Sequence, residues 1–283
     1  MRFSDKSILY VASSMMGSVL QLVLGIVLVR YLSQYDYGTY RQILLITALA
    51  SSGIALGLPQ SLSFFIPRAG SPSEKKHLAF QVFTLLILVG SCVAIIMYMF
   101  RGEVSSGMNN PELVKFSWIF SLFFVLLVPS KCAQSALVAL GRINFASILN
   151  LATSMAHFLF VLVPLLMGQD LRVILLSLLT VYGLQFVVVL SVLGSLEGGV
   201  PKPLSWTSLK SQISYSFPYW LSIMVGVLRS YIDQFLVAIL YRPENFAIYA
   251  RGAFELPLAA TIPWSLGHLI TPRLVEFYAK GEI

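Results

Sequence analysis

Two ionisable side chains lie one helical turn apart in a long apolar stretch, where charge is unusual. Arg229 and Asp233 both belong to the stretch 213–240, so a helix there would present them on one face. A guanidinium can bind a phosphate group through two parallel hydrogen bonds. A neighbouring carboxylate could adjust the strength of that binding or carry a coupling proton. A salt bridge that only neutralises the pair is a compatible alternative. We therefore interpret Arg229 as a candidate ligand for an anionic substrate.

Lys131 and His157 also lie within apolar stretches. One interpretation of Lys131 is a cation that faces a water-filled cavity and binds substrate. The other is a side chain that extends to the membrane interface, where its ammonium group meets water. We favour the first reading. His157 could titrate in a proton-coupled cycle, although a satisfied interior polar residue is the simpler interpretation.

The remaining candidates lie near the ends of apolar stretches. Arg30 and Arg41 bracket the first loop and are either interfacial anchors or substrate-binding residues. Arg251 and Glu255 are four residues apart, which indicates a structural pair, with ion coupling through Glu255 as the alternative. No phosphate-binding loop, zinc motif or nucleophile elbow is present, and the other acidic residues are scattered. The sequence thus predicts neither an enzyme nor a metal or cofactor site.

The composition indicates what must position these side chains. Of the 283 residues, 57% are hydrophobic and only 11% are charged, and the mean hydropathy is +0.82. A soluble domain carries about 25% charged residues, so this chain could not cover a water-facing surface of its own. Soluble enzymes, disordered tails and disulfide-framed secreted domains are excluded. The net charge of +7 is spread over many loops, which argues against a nucleic-acid partner.

The apolar residues form continuous runs rather than alternating ones, which favours membrane-spanning helices over a β-barrel. The predicted fold is an all-α integral membrane protein with eight transmembrane helices. The predicted spans are 8–30, 42–66, 79–100, 115–138, 145–167, 173–194, 213–240 and 247–271.

The basic residues of the loops predict the orientation. If the N-terminus is cytoplasmic, ten lysines and arginines fall inside and seven outside, and lysine alone divides six to one. We therefore expect both the N-terminus and the C-terminus to be cytoplasmic.

Two loops at an offset of 209 residues share a pattern. In the first, Tyr37, Gly38 and Tyr40 open the second span; in the second, Phe246, Ala247 and Tyr249 open the eighth. Six helices separate the two copies, which predicts a parallel repeat with both loops on one side of the membrane. Chance similarity of two interfacial loops is the alternative.

The repeat divides the chain into a six-helix lobe at 1–196, a cytoplasmic linker at 197–211 and the first two helices of a second lobe at 212–283. We expect a chain that is either naturally shortened or part of a longer protein.

Several motifs resemble one known family. They are Arg30-x-Leu32-x-x-x-x-Tyr37-Gly38-x-Tyr40, Ala139-Leu140-Gly141-Arg142-Ile143-Asn144, Arg229-x-x-x-Asp233, Tyr249-Ala250 and Leu269-Ile270-Thr271-Pro272-Arg273. The pattern is similar to that of the polysaccharide exporters and lipid-linked oligosaccharide (O-antigen) flippases of the multidrug/oligosaccharidyl-lipid/polysaccharide superfamily. Such proteins have twelve or fourteen helices in two lobes, and this chain departs from them in lacking most of the second lobe.

The resemblance implies a multi-pass protein of the bacterial inner membrane that moves an undecaprenyl-diphosphate-linked oligosaccharide by alternating access. It also implies contact with membrane lipid and, as partners, a polysaccharide polymerase and glycosyltransferases. Two alternatives stay open: a drug/cation antiporter of the same superfamily, and a shortened, non-transporting scaffold for polysaccharide assembly.

Overall fold

The computed structural model describes residues 3–199, 205–253 and 257–280, and these ranges fold almost entirely into α-helices. The helices are α1 (Phe3–Tyr31), α2 (Gln34–Ile54), α3 (Leu58–Arg68), α4 (Pro72–Met99), α5 (Arg101–Gly107), α6 (Glu112–Ala139), α7 (Ile143–Leu166), α8 (Leu171–Gly194), α9 (Trp206–Leu240), α10 (Pro243–Gly252) and α11 (Pro257–Lys280).

Seven helical spans of the described ranges are long and apolar enough to cross a membrane. They coincide with the first seven predicted spans, which confirms an all-helical chain with many membrane-length helices. The eighth predicted span, 247–271, is covered by two helices, α10 and α11, and residues 254–256 between them lie outside the described part of the chain. A count of eight and the division into lobes stay predictions.

Helix α6 forms the centre of the first eight helices. It packs against α2, α3, α4, α7 and α8, and its Phe120, Phe123 and Phe124 are fully buried. Lys76 on α4 donates from Nζ to the carbonyl oxygens of Gly194 (3.1 Å) and Leu196 (2.8 Å), and so holds the end of α8. A cation is favourable there because a helix C-terminus carries partial negative charge.

The predicted span 42–66 is not one continuous helix. Leu56 (φ +48°) and Gly57 (φ +65°) adopt left-handed conformations between α2 and α3, and Pro59 has no N–H to continue the hydrogen-bond ladder. A Cβ on Gly57 would lie 3.0 Å from the carbonyl oxygen of Ser216 on α9. The close approach of α9 and the missing donor together explain a break that hydropathy could not predict.

The last three helices pack against helices of the first eight. Helix α9 packs against α2 and α3, α10 against α2, and α11 against α1 and α3. Helix α9 begins at Trp206, inside the predicted linker, because the Ser205 hydroxyl caps it by accepting the backbone N–H of Ser208 (3.5 Å). We call the side that holds the start of α1, the α3–α4 turn and the start of α9 the N-terminal side, and the other the opposite side.

Candidate functional site: a cationic cavity between α1 and α9

A cavity of about 1020 Å³ lies between α1, α2, α6, α7, α9 and α11. Two rows of mostly polar residues line it, one along a face of α1 and one along a face of α9, and we call them the α1 stripe and the α9 stripe. The α1 stripe comprises Tyr10, Ser14, Gly17, Ser18 and Gln21, and the α9 stripe comprises Tyr219, Ser222, Gly226, Arg229 and Ser230. Both stripes follow the three- and four-residue spacing of one helix face, so each helix presents a hydrophilic surface to the cavity.

Hydrogen bonds fix parts of this lining. The amide of Asn150 on α7 donates to the Ser14 hydroxyl at 3.0 Å, which joins two walls of the cavity. The carbonyl oxygen of Asn150 also accepts a hydrogen bond from the Ser154 hydroxyl at 2.9 Å. Hydroxyl and amide groups can both donate and accept, so this lining suits a ligand rich in hydroxyl groups.

Two guanidinium groups give the cavity its charge. Arg41 on α2 donates from Nη2 to Oε1 of the buried Gln234 at 3.2 Å, and its buried Nε has no partner among the described residues. Arg229 is exposed and lines both the cavity and an adjoining crevice near α10. The described part of the lining contains no carboxylate. The cavity is therefore positively charged, as a site for an anion must be.

Asp233 occupies the crevice beside the cavity. Its carboxylate accepts a hydrogen bond from the Tyr249 hydroxyl on α10 at 2.6 Å, and it forms no ion pair with Arg229. The intrahelical salt bridge considered from the sequence is thus absent between these two residues. Arg229 is left available to an external anion, while Asp233 is held by Tyr249 of the second loop pattern.

A profile of the polysaccharide biosynthesis protein family matches residues 3–262, most of the chain. The chain belongs to this family. Together with the membrane-length helices, membership makes it a multi-pass membrane protein of polysaccharide biosynthesis with the character of a transporter. Comparisons with curated proteins and with solved structures give no match.

The other predicted site residues that the structure describes lie outside the cavity lining. Lys131 is largely buried, and its Nζ lies 3.4 Å from the Ser51 hydroxyl in the last turn of α2. An ammonium at this place stabilises the partial negative charge at the end of the broken helix. Lys131 therefore has a structural position near the α2–α3 break, and it does not line the cavity with the two arginines.

His157 and Arg30 lie elsewhere as well. The His157 ring packs edge-on against Tyr182 at 5.1 Å, and its Nδ1 lies 3.2 Å from the Thr153 carbonyl oxygen. Arg30 is exposed in the last turn of α1, on the opposite side. Glu255 lies outside the described residues, so its pairing with Arg251 stays a prediction. The structure thus brings Arg41 and Arg229 together, with Asp233 beside them.

Most of the cavity lining was missed from the sequence because its residues are uncharged. Serine is frequent at membrane helix contacts and tyrosine at membrane interfaces, so one uncharged polar residue alone predicts nothing. The signal was their spacing: Tyr10, Ser14, Ser18 and Gln21 recur every three to four residues in an otherwise apolar helix. A search for polar stripes, rather than for charges, would have found both walls.

Proposed function

We propose that this member of the polysaccharide biosynthesis family is a flippase for undecaprenyl-diphosphate-linked oligosaccharide in the bacterial inner membrane. The observation that carries the proposal is the cavity lining: two guanidinium groups, many hydroxyl and amide groups, and no carboxylate among its described residues. That combination complements a diphosphate or acidic sugar joined to a neutral glycan.

The chemistry requires binding and shielding only. Arg41 and Arg229 hold the anionic group, the hydroxyl and amide groups exchange hydrogen bonds with the glycan, and the lipid tail stays in the bilayer. Because burying an unpaired charge in hydrocarbon is costly, a polar path through the protein lowers the barrier to crossing. No bond is made or broken, so the protein acts as a transporter and not as an enzyme.

Alternating access would expose this cavity to each side of the membrane in turn. We place both termini in the cytoplasm, so that the N-terminal side receives the substrate from the glycosyltransferases that build it. The polymerase would use it after release on the opposite side. Asp233 is the candidate for a coupling proton, since it lies beside Arg229 in the same crevice.

A drug/cation antiporter of the same superfamily is the less favourable reading. Such a protein needs acidic groups that attract a cation, and the described lining of the cavity supplies arginines instead. No observation on the described residues favours the scaffold alternative.

Restoration of surface polysaccharide in a flippase-deficient bacterium tests the proposal. The complete reading frame of the gene is expressed as wild type and as Arg229→Ala and Arg41→Ala, with protein amounts matched by immunoblot. Each charge-assisted contact contributes about 1.5–3 kcal/mol, so each variant should lower substrate affinity about tenfold or more and reduce surface polysaccharide clearly.

Arg142→Ala is the matched control, because it removes an exposed guanidinium that lies outside the cavity. It should restore polysaccharide as wild type does. If Arg229→Ala and Arg41→Ala also restore it fully, the cationic cavity does not bind the substrate and the proposal is wrong.

A further inference from the structure

A second, smaller cavity adjoins the cationic one on the N-terminal side. It has a volume of about 340 Å³ between α3, α9 and α11. We call it the vestibule; it is lined by Gln60, Ser63, Tyr215, Tyr219, Pro263, Gly267, His268 and Thr271. Tyr219 and His268 also line the cationic cavity, so the two spaces share a wall.

The aromatic wall of the vestibule is stacked on neighbouring side chains. The ring of Phe64 stacks on Tyr215 with centroids 4.1 Å apart and planes inclined by 22°, and the Arg68 guanidinium covers Phe64 at 3.7 Å. Tyr215 and Tyr219 nevertheless keep 41% and 43% of their surfaces exposed. The result is an ordered column of stacked groups that ends in aromatic surface available to a ligand.

The polar wall faces this surface. The side-chain oxygen of Gln60 is buried and has no hydrogen-bond partner among the described residues, although an amide oxygen seeks a donor. Ser63 and Thr271 add hydroxyl groups to the same cavity. Unlike the larger cavity, the vestibule has neither arginine nor lysine in its described lining, so its chemistry suits a neutral ligand.

We propose that the vestibule is a sugar-binding subsite that holds one neutral pyranose ring of the transported glycan, an inference that rests on the proposed function. The ring's C–H face packs on Tyr219 and Tyr215, whose π-faces carry negative charge. Its hydroxyl groups donate to Gln60 and exchange hydrogen bonds with Ser63 and Thr271. Ten residues of α9 separate Tyr219 from Arg229, about 15 Å at 1.5 Å per residue. The subsite therefore recognises sugar at a distance from the anionic group.

Equilibrium binding of two probe lipids to the purified protein tests the subsite. The probes are undecaprenyl diphosphate and undecaprenyl diphosphate that carries a neutral tetrasaccharide. Wild type should bind the glycosylated lipid more tightly. Tyr219→Ala and Gln60→Leu should each reduce this preference about fivefold, the effect of losing one packing or hydrogen-bonding contact of ordinary strength. Binding of undecaprenyl diphosphate itself reports that each variant is folded.

Two controls isolate the sugar contact. Tyr219→Phe retains the ring and should keep the preference within about twofold of wild type. Phe217→Ala removes an exposed ring from the same helix that does not line the vestibule, and should leave the preference unchanged.

The possible outcomes separate the two proposals. If both lipids bind equally well, or if Tyr219→Ala and Gln60→Leu keep the full preference for the glycosylated lipid, the subsite is wrong and the anion site stands. If neither lipid binds to wild type, the proposed function fails and the subsite fails with it.

Discussion

The two copies of the repeated pattern meet in the structure, yet their surroundings differ. The amide of Gln34, in the first copy, donates to the Glu244 carbonyl oxygen of the second at 2.9 Å. A Cβ on Gly38 would collide with the carbonyl group of Pro243, so glycine is needed where α2 and α10 touch. The tyrosine that ends the pattern, Tyr40 in the first copy and Tyr249 in the second, is buried in the first copy and only partly buried in the second.

The positions that match in sequence explain what the copies share. Tyr37 and Phe246 are both fully buried, and Gly38 and Ala247 are buried with them. An aromatic residue followed by a small one therefore allows two helix starts to approach each other closely, whichever copy supplies them.

The neighbours explain the difference. Tyr40 retains 5% of its surface and belongs to the main core, because α2 packs against α6. Its counterpart Tyr249 turns its hydroxyl to Asp233 at the crevice beside the cavity. The same local pattern thus supplies a core residue in one copy and a residue of the crevice in the other. The role of each tyrosine is therefore decided by its tertiary neighbours and not by the motif.

The largest difference between the two copies should appear when Tyr40 and Tyr249 are each replaced by alanine. Tyr40→Ala leaves a cavity in the core and should lower the free energy of unfolding by about 3–5 kcal/mol, as other large-to-small aromatic substitutions do. Tyr249→Ala should cause a smaller decrease, because its side chain is only partly buried and does not belong to the main core. Thermal unfolding of the two variants in detergent measures the difference, and similar losses of stability would contradict the assigned surroundings.

A smaller effect is expected from the polar network behind the first copy. Asn110 donates to the Thr39 hydroxyl (2.9 Å) and to the Gln42 amide oxygen (2.7 Å), and accepts from the Tyr35 hydroxyl (2.9 Å). Asn110→Ala leaves buried partners unsatisfied and should cost about 1–3 kcal/mol. Asn245 is exposed in the second copy. Asn245→Ala is therefore the matched control and should leave the unfolding temperature near that of wild type.

The two asparagine variants should therefore differ in unfolding temperature. If Asn110→Ala unfolds at the same temperature as Asn245→Ala, the network does not stabilise the first copy, and the asymmetry between the copies has another origin.

Much of the fold could be predicted because hydrophobic length alone selects membrane-spanning helices. The break near Gly57 could not be predicted from the sequence, since it depends on how closely α9 approaches Gly57. The early start of α9 was missed because a serine cap and polar residues extend the helix beyond its apolar run.

The site was partly predictable for a related reason. Arg229 was singled out because charge in an apolar stretch is conspicuous, and Arg41 because it brackets the first loop; both line the cavity. Lys131 was equally conspicuous, but its position is near the end of α2. The side of a helix that a cation faces is decided by packing, which the sequence of that helix does not contain.

Transport of lipid-linked oligosaccharide in proteoliposomes tests the central claim most directly. The protein from the complete reading frame is reconstituted with undecaprenyl-diphosphate-linked oligosaccharide, and translocation is followed by the access of an external glycosidase to the sugar. Wild type should move the lipid much faster than protein-free vesicles, Arg142→Ala should match wild type, and Arg229→Ala should be slow. Equal rates for Arg229→Ala and wild type would contradict the claim that the cationic cavity carries the substrate.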